Sequence, residues 1–226
     1  MFKNAKKTFG FAILLIVLIF GSYKLISYYN QSDIKKDDVE KHSIIISKDK
    51  LRVDYFFWLR CGACNQFEPY VSEWYKGLDD KIEFNFIPVG WGNTLKDAEP
   101  YYIAKKLYED GILTKDDYLL TIIDIFDITF KDNKVLNRHN TFKKLSSRSI
   151  FKTEADFNKY IDDNLEYINN GIEFSKFASA KYGIGSVPIF IIDGSKSVSL
   201  NDYNGDPKRM FNAINNVAVE KMKKNK

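Results

Sequence analysis

Apolar and polar positions along the chain fall into three kinds of pattern. Phe9 to Phe20 is an unbroken apolar run. Short β-type runs follow. Ile44–Ile46 is β-branched, Leu51–Leu59 is apolar and aromatic like a buried central strand, and Ile82–Val89 alternates before running continuously. Val71, Trp74, Tyr75 and Leu78 recur at helical spacing, which predicts a helix from about Cys61 to Leu78 with Pro69 kinking it. From Asp97 the pattern is helical for a long stretch. Ala98, Tyr101, Ala104, Leu107 and Tyr108 form one stripe, stopped at Gly111. Thr114 caps a segment carrying Leu119, Leu120, Ile122, Ile123 and Phe126, and a polar loop around His139 follows. Thr153 with Asp156 opens another helix, and a further one runs from Leu165 to Tyr182 until Gly183 and Gly185 break it. Val187–Asp193 reads as a strand turning at Gly194, and Asp206-Pro207 starts a C-terminal helix. A βαβ half and a ββα half are thus separated by helices, and the class is α/β.

The first apolar run has its own meaning. Lys3, Lys6 and Lys7 precede it, as in the charged n-region of an export signal. The uncharged stretch from Thr8 to Tyr23 is slightly shorter than the roughly 20 residues of a spanning helix, and Leu25 and Ile26 extend it if Lys24 snorkels. Only Gly21, Ser22 and Ser27 offer small residues for cleavage, so a signal peptide and a retained anchor both stand for residues 1–29. A polar linker over residues 30–43 comes next. The expected location is the bacterial periplasm or cell envelope, with the lysines left inside.

Those lysines also explain the net charge. The four in residues 1–24 account for the whole formal +4, and beyond them basic and acidic side chains balance at 30 each. A balanced body has no field for gathering nucleic acid, so no such partner is expected.

The chain contains only 2 cysteines, Cys61 and Cys64, which excludes a disulfide scaffold. They fall where a strand hands over to a helix. There the free N–H groups of the first turn and the helix dipole favour a thiolate on Cys61. Cys64 is one turn on and on the same face, able to resolve a mixed disulfide. Arg60 adds a positive charge beside them. A structural disulfide would close too small a loop to constrain much, and a zinc site lacks ligands, since only His42 and His139 remain. Redox exchange between cysteines needs no cofactor and no metal.

With these residues in view, Phe56-Phe57-Trp-Leu-Arg-Cys61-Gly-Ala-Cys64-Asn-Gln-Phe-Glu68 resembles the active-site segment of DsbA-type thiol:disulfide interchange proteins. Ile184-Gly-Ser-Val187-Pro188-Ile-Phe-Ile-Ile-Asp193-Gly194 resembles their cis-proline loop. The resemblance implies a thioredoxin-like fold (44–96 and 184–226) with an inserted helical domain (97–183). It implies Cys61 as attacking cysteine, Cys64 as resolving cysteine, and a cis peptide at Pro188, with Val187 and Pro188 binding substrate. It further implies a monomer that passes its disulfide to unfolded exported proteins and is reoxidised by a DsbB-type quinone-linked membrane oxidase. An envelope reductase or isomerase uses the same residues, and a redox-inert, chaperone-like binding module is the alternative of another class.

The chain departs from the family at the site. Gly62-Ala63 stands where the oxidases carry Pro-His, so no side chain between the cysteines helps hold the thiolate. The family's buried acid falls at Tyr55, and Asp54, one residue away, points to the opposite face unless a bulge intervenes. Glu68 matches a family acid on the active-site helix, with surface and proton-handling roles both open. Arg60, Glu68 and Asp54 are therefore the expected tuning residues.

Overall fold

The computed structural model describes residues 49–148 and 151–224. The export signal, the linker, His42 and the Ile44–Ile46 run lie outside them. No helix among the described residues is long and apolar enough to cross a membrane. The described residues fall within one compact unit.

Among the described residues, four strands make the sheet: β1 (Leu51–Phe57), β2 (Ile82–Pro88), β3 (Ile189–Ile192) and β4 (Lys196–Val198). Their spatial order is β2-β1-β3-β4. β1 runs parallel to β2 and antiparallel to β3, which pairs antiparallel with β4. All of β1 is buried, its two charged residues Arg52 and Asp54 included.

The two faces of β1 go to different layers. Leu51, Val53, Tyr55 and Phe57 face the main core, which holds α1 (Gly62–Lys76) and the C-terminal helix, Pro207–Lys224. Tyr55 stacks on Phe190 with ring centroids 4.8 Å apart, and Phe67 of α1 stacks on Phe211 at 5.8 Å. Each such ring taken out of water contributes on the order of 2 kcal/mol before entropic costs. Phe56 faces the other way, onto Ile87, Ile191, Ala178 and Ile184. Pro69 lies inside α1, which continues through it to Lys76.

Between β2 and β3 run a 3₁₀ helix (Gly92–Ala98) and the helices α2 (Glu99–Glu109), α3 (Lys115–Phe130), α4 (Arg138–Leu145), α5 (Glu154–Asp163) and α6 (Leu165–Lys181). Thr114 and Thr153 cap α3 and α5 as the sequence predicts, each accepting an N–H at 3.1 Å. Gly171 lets α6 cross α2, because a Cβ there would come within 2.4 Å of the Tyr102 ring. Just beyond the crossing, Tyr102 and Ser175 share a 2.6 Å hydrogen bond.

One expectation fails here. His139 is in α4, not in a polar loop. The Asn137 side chain caps that helix by accepting the Asn140 N–H at 2.9 Å, while only Thr141 and Leu145 are buried. So short an apolar stripe leaves almost no helical period to read.

Candidate active site

The site begins where β1 ends. After Phe57 the chain turns, the Cys61 N–H donates to the Trp58 carbonyl at 2.9 Å, and Cys61 becomes the N-cap of α1. Its sulfur does what a Ser or Asp oxygen does at such positions, accepting the Cys64 N–H at 3.3 Å. The two thiols are free, Cys61 partly exposed and Cys64 fully buried.

This asymmetry sets their acidities. The Cys64 thiol donating to Cys61, with the backbone N–H groups of Cys64 and Ala63, brings the Cys61 thiol down to about 6 against the partial burial that raises it. Cys64 is pushed far the other way, by giving its proton to Cys61 and by burial. Cys61 is thus a thiolate at neutral pH and Cys64 a thiol.

The loop before β3 completes the rim. The Val187–Pro188 peptide is cis, as the resemblance implies, and the Val187 carbonyl oxygen lies 3.6 Å from Cys61 Sγ. Val187 and Pro188 are both partly exposed. Phe130 at the end of α3 also reaches the site, since a Cβ on Gly62 would lie 3.9 Å from its ring.

The three expected tuning residues part company. Arg60 gives its charge to Asp97 through two contacts, Nε to Oδ2 at 2.7 Å and an Nη to Oδ1 at 2.9 Å. It is not among the groups that lower the Cys61 thiol. Asp54 is on the far face of the sheet. The β1–β2 register is continuous, with Asp54 opposite Asn85, so no bulge turns it towards the sulfurs. It is held instead by Arg52 at 2.9 Å and the Asn85 amide at 3.0 Å. Glu68 is the one that shares the site. It is fully buried on α1, four residues past Cys64 and therefore on the same helix face. Burial pushes its carboxyl up to about 8, against the Ser72 hydroxyl, which donates to Oε1 at 3.1 Å, and the nearby Tyr55 hydroxyl.

Tyr55, Ser72, Asp97 and Phe130 were not expected here. For Tyr55 the signals were strand parity, which puts it on a face with Val53 and Phe57, and its place at the family's buried acid. The other three arrive by tertiary packing.

Gly62 and Ala63 are both exposed, so side chains can be restored between the cysteines. Ala63→His is expected to lower the Cys61 titration midpoint by about one unit, by placing an imidazole beside the thiolate. Ultraviolet thiolate absorbance across pH reads this directly, and an unmoved midpoint would show that the backbone alone sets it.

A sheet of this order, with helices inserted between β2 and β3, is thioredoxin-like, and a low-pKa cysteine at the first helix's N-cap is suited to disulfide exchange. The comparisons with known proteins carry the DsbA type. The chain is 23% identical over 168 residues, 74% of each chain, to the thiol:disulfide interchange protein DsbA of Azotobacter vinelandii. The fold is similar to DsbA of Pseudomonas aeruginosa, with a TM-score of 0.61 and 18% identity, covering 78% of this chain and 86% of that one. It is also similar to reduced DsbA1 of Neisseria meningitidis, with a TM-score of 0.63 and 18% identity over 80% and 90% of the two chains. No family model matches. Together the relative and the fold support a DsbA-type protein with thiol:disulfide oxidoreductase activity.

Proposed function

We propose that this protein donates disulfide bonds to exported proteins through Cys61 and Cys64. The observation that carries the reading is the split between an accessible thiolate and a buried thiol one helical turn apart. In the oxidised protein, a client thiolate attacks Cys61 Sγ and the Cys61–Cys64 bond breaks, leaving both electrons on Cys64. A second client thiolate then attacks the client sulfur of the mixed disulfide. The client disulfide forms and Cys61 departs as a thiolate. A thiol titrating near 6 is a good leaving group at neutral pH, which favours release of the client over its capture.

The loop at Val187 and Pro188 is the client's docking edge in this reading. Its backbone, with the Val187 carbonyl beside the nucleophile, suits an extended chain laid alongside. Reoxidation falls to a DsbB-type membrane partner, and the site of action is the periplasm or envelope, reached through residues 1–29 as cleaved signal or retained anchor.

Stoichiometric transfer tests the direction. Oxidised protein mixed with an equal amount of a reduced peptide bearing two cysteines is expected to yield peptide disulfide and protein dithiol, and Cys61→Ser is expected to yield none. Recovery of reduced peptide alongside still-oxidised protein at equilibrium would favour the reductase reading and end this one.

A further inference from the structure

The turn that carries β1 into α1 runs from Trp58 to Cys61 and is held from outside the sheet. Leu59 is buried in the main core, which sets the depth of the turn. The side chains on either side of it both meet one element, the 3₁₀ helix Gly92–Ala98 with its N-cap Trp91. Trp58 packs edge to face on Trp91, with ring centroids 5.4 Å apart. Arg60 reaches Asp97, in the last turn of that helix, by two contacts. An Nη donates to Oδ1 at 2.9 Å and Nε lies 2.7 Å from Oδ2. The 3₁₀ helix is stiff enough to serve as a fixed point. The Thr94 hydroxyl accepts the Trp91 N–H and donates to the Trp91 carbonyl, both at 2.9 Å. A Cβ on Gly90 would come within 2.5 Å of the Thr94 carbonyl oxygen, so the backbone doubles back more closely than another residue allows. The Val89 N–H donates to the Phe57 carbonyl at 2.7 Å, so the turn and the 3₁₀ segment leave the sheet side by side.

Asp97 is 7% exposed, and its Oδ2 accepts no well-formed hydrogen bond. A carboxylate so placed is costly unless a charge compensates it, and Arg60 supplies that charge. The pair gains direction in return, because a planar guanidinium held at two points fixes the orientation of the residue bonded to Cys61. Orientation matters at this joint. Gly62 and Ala63 give the sulfur no side-chain donor, so its negative charge rests on the backbone N–H groups that open α1, and the Cys64 N–H meets it at 3.3 Å. Such bonds weaken steeply as they lengthen or tilt. Gly62 at the first helical position adds backbone freedom next to the sulfur.

We propose that Asp97 is a positioning residue for Cys61: through Arg60 it pins the turn Trp58–Cys61 to the 3₁₀ helix and holds the sulfur over the N–H groups of the first turn of α1. The assignment rests on the exchange reaction proposed above, in which Cys61 is the reacting sulfur. Asp97 touches neither cysteine's chemistry directly and acts through the backbone. Tyr55 of β1 and Glu68 of α1 are the other titratable groups that interact with the cysteines, and both stay as they are in the variants that follow.

Two variants separate position from charge. Asp97→Asn keeps the volume but leaves one acceptor oxygen where there were two, which breaks the two-point contact. It also removes a negative charge and frees a positive one next to Cys61, so by charge alone the Cys61 midpoint would fall. Loss of position moves it the other way. Arg60→Lys keeps the charge and loses the planar two-point contact, so charge alone would leave the midpoint in place while loss of position raises it. The rate of Cys61 alkylation by iodoacetamide across pH gives each midpoint. Asp97→Asn is expected to raise it from about 6 by about one unit, and Arg60→Lys by about half a unit. The glutathione equilibrium at about pH 8 is expected to shift about tenfold towards the disulfide in Asp97→Asn, an effect that a merely structural ion pair would not produce. A midpoint that falls in Asp97→Asn would overturn the proposal, as would midpoints unmoved in both variants. Either result leaves the exchange reading standing. Cys61 alkylating as an ordinary thiol in the unmodified protein would instead end the exchange reading, and this role for Asp97 with it.

Discussion

Reduction of the Cys61–Cys64 disulfide by glutathione is expected to become close to tenfold more favourable with each unit of pH between about 6 and 9. The disulfide binds no proton. Above about 6 the reduced protein holds one proton, on Cys64, while the two glutathione thiols consumed bring two. One proton is therefore released per turnover, and raising the pH pulls the equilibrium towards the dithiol. Below about 6 Cys61 keeps its own proton, no net release occurs, and the dependence flattens. The gain is lost as pH falls through the depressed folded value, as it must be for a thiol whose acidity the fold has increased. Equilibration in glutathione buffers of fixed ratio, with trapping of free thiols, gives the constant at each pH. A constant unchanged from pH 6 to 9 would mean that Cys61 is an ordinary thiol, and the leaving-group argument would go with it.

Glu68 gives an effect of opposite sign on stability. Its carboxyl is raised from an ordinary 4.5 to about 8 by burial. Above the ordinary value the unfolded chain has released this proton and the native protein has not. Stability is therefore whole below about 4.5 and declines as pH climbs, levelling above about 8, for a loss of about 3–5 kcal/mol. Glu68→Gln is expected to remove this slope, so the variant gains on the unmodified protein progressively across the interval and is several kcal/mol more stable at its upper end. Urea unfolding of both proteins at a series of pH values measures the difference. Parallel profiles would mean that Glu68 ionises in place with little penalty, and that water reaches it.

The residues proposed for the exchange were readable because the signal is local. Cys61 and Cys64 sit at a strand-to-helix junction that hydrophobic pattern alone locates, and the motif around Pro188 is contiguous. Strand parity gave the right side for Asp54, whose carboxylate has its own buried partners away from the sulfurs. Arg60 misled because nothing in its own segment announces Asp97, 37 residues on, which takes up its charge. The facing of Tyr55 and Glu68 was hidden for a similar reason. Parity puts Tyr55 on the core face and helical period puts Glu68 under Cys64, but only the packing of α1 on β1 brings the hydroxyl to the carboxyl. α4 was missed because a helix with two buried side chains draws its definition from its cap and its neighbours.

The sheet's outermost strand on one side, β4, is three residues long and begins with exposed Lys196 and Ser197. A catalyst that handles unfinished polypeptides runs a standing risk of fusing with them, since any long bare border of backbone donors and acceptors invites another chain to zip on. A border this short, with a lysine at its start, offers a visitor almost nothing to extend along. Under the proposed function, clients can therefore come to the sulfur, trade electrons and leave without being woven into the enzyme at that rim.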